Sequence, residues 1–341
     1  MPLVHFLDSV IQRRSLTSED ARMAMSVILE GAATTAQIAA FLVALRMKGE
    51  TGEEVLGFAQ AMREKANRVD AGIPSDQLLD TCGTGGDGAG TFNISTIAAF
   101  VVAGAGARVA KHGNRSISSR CGSADVMEGL GVKISLTPAQ MGRAIREVGI
   151  GFLFAPALHP AMKYAQPARV ELRLRTVFNI LGPLTNPAGA ARQLVGAPSE
   201  SAAAIMAEVL AALGLRHGFV VHGSDGLDEI TTTGPTLVLE IGDGKVIRRS
   251  LTPDDFGVRP ARAEDLKGGD RKMNCQIARA VLGGASGPQR DVALINSSAA
   301  LVAAGLACDF HEGMILAARS IDSGAALQKS EQLALFTQQV V

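Results

Sequence analysis

The chain has 341 residues, of which 47% are hydrophobic and 19% charged, with 33 basic side chains balanced by 33 acidic ones. A charged share below the ~25% usual in soluble chains, joined to a large apolar share, excludes disorder, and zero formal charge argues against a general nucleic-acid or anionic-membrane surface. Four widely spaced cysteines (Cys82, Cys121, Cys275, Cys308) with no Cys-x-x-Cys pair, an N-terminus lacking a basic and apolar leader, and no run of ~18 apolar residues give the expectation of reduced thiols in a cytoplasmic protein, neither secreted nor membrane-spanning.

Residues 1–68 read as helices. Thr34-x-x-Gln37 forms a capping box, Ile38, Phe41, Leu42 and Leu45 follow at helical spacing, and Gly49 comes after a terminal Lys48. Thr51-x-x-Glu54 opens the next helix in the same way. From Leu78 short apolar strands alternate with helices: strand 78–82, helix 95–106, strand 108–111, helices 123–130 and 138–148, strand 150–155. That alternation predicts an α/β layer architecture with parallel strands. Residues 159–175 return to one helical pattern before the Pro- and Gly-rich turn at 182–189. Strand 193–197, helix 199–213 and strand 219–222 follow, then a hairpin whose arms 236–241 and 245–250 flank Gly242-Asp-Gly244. The last ~70 residues read as Ala-rich helices, and no internal repeat stands out.

The chemistry concentrates in Asp80-Thr-Cys-Gly-Thr-Gly-Gly-Asp-Gly-Ala-Gly-Thr-Phe-Asn-Ile-Ser-Thr96 and Lys111-His-Gly-Asn-Arg115. Glycines let backbone N–H groups approach an anion closely, and Asn93, Ser95 and Thr96 open a helix whose N-terminus favours phosphate. Gly83-x-Gly85-x-x-Gly88 matches a dinucleotide fingerprint, but where that fold needs an acid for the ribose this chain offers Arg108-Val-Ala-Lys-His-Gly. No Gly-Lys-Ser/Thr closes the loop, so a Walker loop is excluded too. Asp228-Glu229 follows an apolar strand in Gly226-Leu-Asp-Glu-Ile230; an adjacent acid pair is usually solvated surface, yet beside a pyrophosphate it suits Mg²⁺. Arg169 either pairs with an acid such as Glu171 or recognises a planar carboxylate.

Taken in order, Gly-Thr-Gly-Gly-Asp at 83–87, Asn-Ile-Ser-Thr at 93–96, Lys-His-Gly-Asn-Arg at 111–115, Cys-Gly-Ser-Ala-Asp at 121–125, Val-Phe-Asn-Ile-Leu-Gly-Pro-Leu-Thr-Asn-Pro at 177–187 and Gly-Leu-Asp-Glu-Ile at 226–230 resemble the anthranilate phosphoribosyltransferases of tryptophan biosynthesis, over essentially the whole chain. The resemblance implies transfer of the 5-phosphoribosyl group from phosphoribosyl pyrophosphate to the amine of anthranilate. It also implies a small helical domain (1–70 with a returning segment about 159–185) beside a larger α/β domain (71–158 and 186–341) that carries a mostly parallel sheet, and a homodimer formed through the helical domain. To phosphoribosyl pyrophosphate it assigns Gly83, Gly86, Asp87, Thr91, Asn93, Ile94, Ser95 and Thr96, then Lys111, His112, Gly113, Asn114, Arg115, Ser116, Ile117, Ser118, Ser119 and Ser123. To anthranilate it assigns Gly83, Asn114, His159 and Arg169, and to two Mg²⁺ ions Asp228 and Glu229 with Ser95. Lys111, Arg169 and His112 are the expected catalytic residues. No nucleic-acid or membrane partner is expected. Displacement of pyrophosphate needs charge neutralisation and alignment more than a dedicated nucleophile, in keeping with the lack of a Ser/His/Asp or Cys/His arrangement. A nucleoside phosphorylase of similar architecture would not need the acid pair, and a nucleic-acid-binding paralogue would need a basic face that this neutral chain does not announce.

Overall fold

The computed structural model describes residues 2–85, 88–115 and 120–340. Four helices, Leu3–Ile11, Ser18–Leu29, Thr35–Lys48 and Gly52–Glu64, open the chain. Both capping boxes form: Thr34 Oγ1 accepts the Gln37 N–H at 3.2 Å while Gln37 Oε1 accepts the Thr34 N–H at 3.0 Å, and Thr51 and Glu54 repeat the exchange. Glu54 also does something local sequence does not announce. It is fully buried, with Oε1 accepting the Leu16 N–H at 2.9 Å and Oε2 paired to the Lys48 ammonium at 2.9 Å, so one carboxylate binds an interhelix loop to two helices.

Seven strands form one sheet: β1 (Leu78–Gly83), β2 (Arg108–Gly113), β3 (Ile150–Phe154), β4 (Arg192–Gly196), β5 (His217–Gly223), β6 (Thr236–Gly242) and β7 (Lys245–Leu251). Their order is β3-β2-β1-β4-β5-β6-β7; the first five run parallel and β6 and β7 antiparallel. The β6–β7 connection is Asp243-Gly244, both at positive φ (50° and 73°), as a two-residue hairpin loop of this composition requires. Between β1 and β4 the winding direction of the sheet reverses, and open α/β sheets bind ligands outside such a switch point at the carboxyl ends of the strands.

Alternation along the strands splits the interior. Leu194, Phe219 and Val221 face a core shared with the helices Ile94–Gly104, Arg271–Leu282 and Pro288–Ala304. Val195 and Val220 face the opposite way, into a core shared with the N-terminal helices, the helix Glu200–Ala212 and residues 165–184. The helical layer therefore packs directly on the sheet. No helix among the described residues is long and apolar enough to cross a membrane.

One expected element is broken. Residues 159–175 make a 3₁₀ turn Pro160–Tyr164, then a short helix Gln166–Leu172 ended by Arg173 at φ 49°. Pro167 lacks an N–H and is tolerated only in a first helical turn, so the helix restarts at Gln166 instead of running through. Strand β3 likewise ends at Phe154, because Ala155–Leu158 is already helical.

The helices Ser18–Leu29 and Gly52–Glu64 meet at Gly57, where an added Cβ would fall on the Ser18 carbonyl oxygen and 2.8 Å from Ala21 Cβ. Replacing an interior helical glycine by alanine normally gains ~0.5–1 kcal/mol, but overpacking a fitted interface costs ~1–3 kcal/mol. Gly57→Ala should accordingly lower the thermal midpoint; a raised midpoint would show that the two helices can part without penalty.

Candidate active site at the carboxyl edge of the sheet

A cavity of about 700 Å³ opens between the carboxyl ends of β1 and β2 and the helical layer. Its sheet-side wall includes Gly83, Thr91, Asn93, Ile94, Ser95, Thr96, Lys111, His112, Gly113, Asn114, Arg115 and Ser123, its floor Asp228 and Glu229, and its helical wall His159, Lys163, Gln166, Arg169 and Phe178. Every described residue in the expected site thus lies on one cavity. Gly86, Asp87, Ser116, Ile117, Ser118 and Ser119 lie outside the described residues.

The acid pair sits in the loop after β5, laid across the last rung of β1 and β4, where Gly83 and Gly196 are partners. A Cβ on Gly196 would coincide with the Asp228 carbonyl, and one on Gly83 would lie 2.7 Å from Asp228 Oδ2. Glycine at both places lets the loop touch the sheet. Asp228 Oδ2 then accepts the Gly85 N–H at 2.8 Å and the Thr84 hydroxyl at 3.3 Å, while Glu229 Oε1 accepts the Ser95 N–H at 3.1 Å. Just beyond the pair, fully buried Asn296 clamps Ile230 from both sides, accepting its N–H at 3.0 Å and donating to its carbonyl at 2.8 Å. Among the described residues no three His, Cys, Asp or Glu side chains converge into a metal cage. Two hard carboxylates with a hydroxyl nearby are instead the donor set of an ion that completes its shell with water and phosphate, as Mg²⁺ does.

Helix Ile94–Gly104 begins at the cavity with Asn93 as its N-cap, and the buried Thr96 hydroxyl finds no hydrogen-bond partner among the described residues. Lys111 lies on the wall with its ammonium turned inward, donating to the Thr81 carbonyl at 2.5 Å. Burial pushes Lys111 below the usual lysine value, opposed by the charge of buried Asp80, whose own pKa burial raises. Arg115, also on the wall, is engaged in a fork onto Glu128 (2.8 and 2.9 Å) and Asp125 (2.7 Å). Ser123 Oγ is engaged with the Asn114 backbone, accepting its N–H and donating to its carbonyl at 3.2 Å each.

On the helical side Arg169 stacks over Phe178, 5.2 Å from the ring centroid, and burial lowers its pKa. No acid pairs with it among the described residues, so the alternative of an ordinary pair with Glu171 is not what forms. His112 and His159 lie with ring centroids 5.3 Å apart. His112 Nδ1 meets the Gly182 carbonyl at 3.1 Å; a carbonyl only accepts, so Nδ1 carries the proton and Nε2 the lone pair. Both Nε2 atoms are buried without a partner among the described residues. Burial drives the His112 pKa down to about 3, helped by the adjacent imidazole, and His159 to about 4. Both rings are neutral at ordinary pH.

Sequence reasoning did not find Asn186, Asn274 or Asn296. Asn186 Nδ2 donates to Asp80 Oδ2 at 2.7 Å and to the Ala110 carbonyl at 2.8 Å, while Asp80 Oδ1 accepts the His112 N–H at 3.1 Å. The Gly-Pro-Leu-Thr-Asn-Pro turn is thereby fastened to the middle of β1 and β2, at Asp80 and Ala110. Its presence was a signal, but only the strand order shows what it fastens.

Known proteins resemble this chain over most of its length. Residues 4–66 match the glycosyl transferase family helical bundle domain, and residues 75–327 the a/b domain of the same family. An anthranilate phosphoribosyltransferase of Solibacter usitatus is 62% identical over 336 residues, covering 98% of this chain and 99% of its own. One from Geobacter sulfurreducens is 52% identical over 340 residues, with 96% and 97% covered. Among solved structures, the Thermus thermophilus anthranilate phosphoribosyltransferase superposes with a TM-score of 0.92 at 43% identity, covering 97% of this chain and 99% of that one. The Saccharomyces cerevisiae enzyme in complex with PRPP and Mg gives 0.90 at 30% identity, with 99% and 98% covered. With most of its length matched by relatives this similar, the chain belongs to the anthranilate phosphoribosyltransferase family.

Proposed function

We propose that this chain joins anthranilate to the phosphoribosyl group of phosphoribosyl pyrophosphate with Mg²⁺, giving N-(5-phosphoribosyl)anthranilate and pyrophosphate. The observation that carries the reading is a single cavity with two chemically different ends. One end is a glycine loop, a helix N-terminus and an acid pair; the other holds Arg169, with no acid partner among the described residues, and two neutral imidazoles. The first suits a pyrophosphate and its metal, the second a planar aromatic carboxylate. Yeast relatives in complex with PRPP and Mg and with 4-fluoroanthranilate support the same pairing of ligands.

In this reading Asp228 and Glu229, with Ser95, hold Mg²⁺, two ions per chain. Bound there, Mg²⁺ neutralises charge on the departing pyrophosphate. The glycine loop with Gly83, Gly86, Asp87 and Thr91, the helix start at Asn93, Ile94, Ser95 and Thr96, and residues 111–119 with Ser123 hold the donor. Gly83, Asn114, His159 and Arg169 hold anthranilate, the guanidinium meeting its carboxylate. The bond from C1 to pyrophosphate breaks as the amine nitrogen bonds to C1, and the nitrogen then loses a proton. An N-arylammonium is a strong acid, so a water or a histidine near the site such as His112, whose Nε2 carries the lone pair, suffices to accept its proton. Lys111 supports the site through the Thr81 carbonyl beside the glycine loop.

In this reading the chain divides into a helical domain (1–70 with about 159–185) and an α/β domain (71–158 and 186–341); the grouping of the returning segment with the first helices is supported by the packing of Ala168, Phe178 and Leu181 with Leu3, Phe41 and Phe58, in a core that continues into the sheet through Val195 and Val220. We place a homodimer interface on the helical domain. Ile11 and Met47 are 61% and 74% exposed there, on mutually packed helices, the second of which also meets the short helix bearing exposed Val170.

Turnover is followed directly as loss of anthranilate fluorescence in the presence of phosphoribosyl pyrophosphate. It should require Mg²⁺ and fall by several orders of magnitude when the ion is chelated, and the combined change Asp228→Asn with Glu229→Gln should abolish the metal-dependent rate. Metal-independent turnover, or full activity in that variant, would remove the acid pair from the mechanism. Arg169→Ala should raise the anthranilate KM roughly 10-fold or more, the value of a lost charge-assisted bond, and leave the donor KM nearly unchanged. Equal effects on both substrates would refute the carboxylate assignment.

The histidine pair makes stability depend on pH. In the unfolded chain both titrate near 6.5, whereas in the fold they hold out to about 3 and about 4. Below pH 6.5 the unfolded state therefore binds protons that the native state refuses. Their contribution is complete above 6.5 and is lost as pH falls toward 4 and then 3. The thermal midpoint should decline across that window, and less steeply in His112→Asn with His159→Asn; parallel declines would deny the pair this role.

A further inference from the structure

We propose that Asn274 is a positioning residue for the donor site, one that fixes which end of the Asn93 side chain faces the ligand; this rests on Asn93 lying at the phosphoribosyl donor. Three hydrogen bonds in series determine the polarity. The Gly269 N–H donates to Asn274 Oδ1 at 2.7 Å, Asn274 Nδ2 donates to Asn93 Oδ1 at 2.9 Å, and Asn93 Nδ2 donates to the Cys121 carbonyl at 3.3 Å. A backbone N–H can only donate and a backbone carbonyl only accept, so the two ends leave neither amide free to turn over. Asn93 lines the cavity, and the second hydrogen on its Nδ2 is uncommitted among the described residues. The relay consequently commits its carbonyl oxygen inward and leaves an N–H for an anionic ligand.

The element that carries the relay is built for the purpose. Asn274 is 3% exposed, in the first turn of helix Arg271–Leu282, where Asp270 caps the Met273 N–H at 2.9 Å. The strip before that helix runs against the glycine loop: Thr91 bridges Lys267, the Gly268 N–H donates to the Gly90 carbonyl at 2.9 Å, and the Phe92 N–H donates to the Leu266 carbonyl at 3.3 Å. A Cβ on Gly268 would lie 2.6 Å from Asn274 Oδ1 and 2.7 Å from the Phe92 backbone, so only glycine brings strip, loop and amide together. The sequence Lys267-Gly-Gly-Asp270 thus belongs to the donor site although it stands some 180 residues beyond the glycine loop on the chain.

The test compares Asn274→Asp with Asn274→Ala in the full chain, by steady-state kinetics in both substrates at a pH where the new carboxyl is ionised, alongside thermal midpoints. Asn274→Asp keeps the shape and the bond from Gly269 but cannot donate, and presses Asn93 to reverse and show its oxygen to the donor. Asn274→Ala removes the constraint without reversing it. The relay predicts a donor KM raised roughly 10-fold to 100-fold in Asn274→Asp, a smaller rise in Asn274→Ala, and an anthranilate KM within about twofold of the parent in both. A residue that merely fills space predicts the opposite order, since the isosteric change disturbs packing less. That order, an unchanged donor KM in Asn274→Asp, or equal rises for both substrates would overturn the proposal. If Asn274→Asp does not fold, a donor-only rise in Asn274→Ala upholds the relay and an unchanged donor KM refutes it. Failure of the parent chain to use the donor at all would overturn the functional reading, and the relay's role with it.

Discussion

Everything at the site depends on how closely one loop can lie on the sheet. The chain leaving β5 crosses the switch point in contact with Gly83 and Gly196, with no side chain between loop and strands. That approach brings Asp228 within reach of the Gly85 N–H and Glu229 within reach of the Ser95 N–H. The same N–H groups suit an incoming phosphate. The acids therefore organise the glycine loop and the helix start as an anion receptor while placing negative charge on it, and a ligand that arrives with divalent cations relieves that repulsion. An anion without metal meets the charge unrelieved. Metal dependence in this fold follows from geometry as much as from the leaving group.

A second constraint lies deeper. Asp80 and Lys111 are both buried, and each charge is tolerable only because the other is near and directional bonds complete its shell. Asn186 bonds the Asp80 carboxylate and the β2 backbone together, and the turn that carries it also receives the Nδ1–H of His112 at the Gly182 carbonyl. Apolar packing alone would let the strand ends slide or tilt by fractions of an ångström. Bonds with fixed direction do not, and a buried ionic group is best justified where position matters more than stability. The turn at 182–189 is thus the joint through which the helical wall is held at a set distance from the sheet edge.

What the sequence made legible follows from the range of the forces involved. Capping boxes, the Asp-Gly hairpin and the glycine loop are set by residues a few places apart, and all are visible in the chain. Pro167 was visible too, but the apolar pattern around it read as one helix, and the pyrrolidine ring decided otherwise. The candidate site residues could be named because several motifs recur in fixed order, yet their orientations were not legible. Lys111 turns to Thr81, and Arg115 to Asp125 and Glu128, because those partners lie in other strands and helices. Asparagines such as Asn186, Asn274 and Asn296 have no signature at all, for their use depends on which backbone groups the topology brings to them.

The cations divide the cavity. Lys111 and Arg115 are spent on the protein's own oxygens, whereas Arg169 is backed by the Phe178 ring and has no acid partner among the described residues. In the proposed reading an aromatic carboxylate entering the cavity meets the Arg169 guanidinium, with the neutral imidazoles of His112 and His159 on the same cavity, and a polyphosphate meets N–H groups, hydroxyls and the acid pair. Two substrates of like charge would on this reading be sorted by the form of positive potential they meet: a planar fork for one, backbone dipoles and divalent ions for the other. In the proposed reading the reacting nitrogen and carbon are held by different layers of the fold. Their separation is then set by the joint at Asn186 and by the close contact of loop and sheet at Gly83 and Gly196. In a reaction whose acceleration comes chiefly from alignment, those contacts bear on the rate even though none of the three residues supplies a proton or a charge to the reacting atoms.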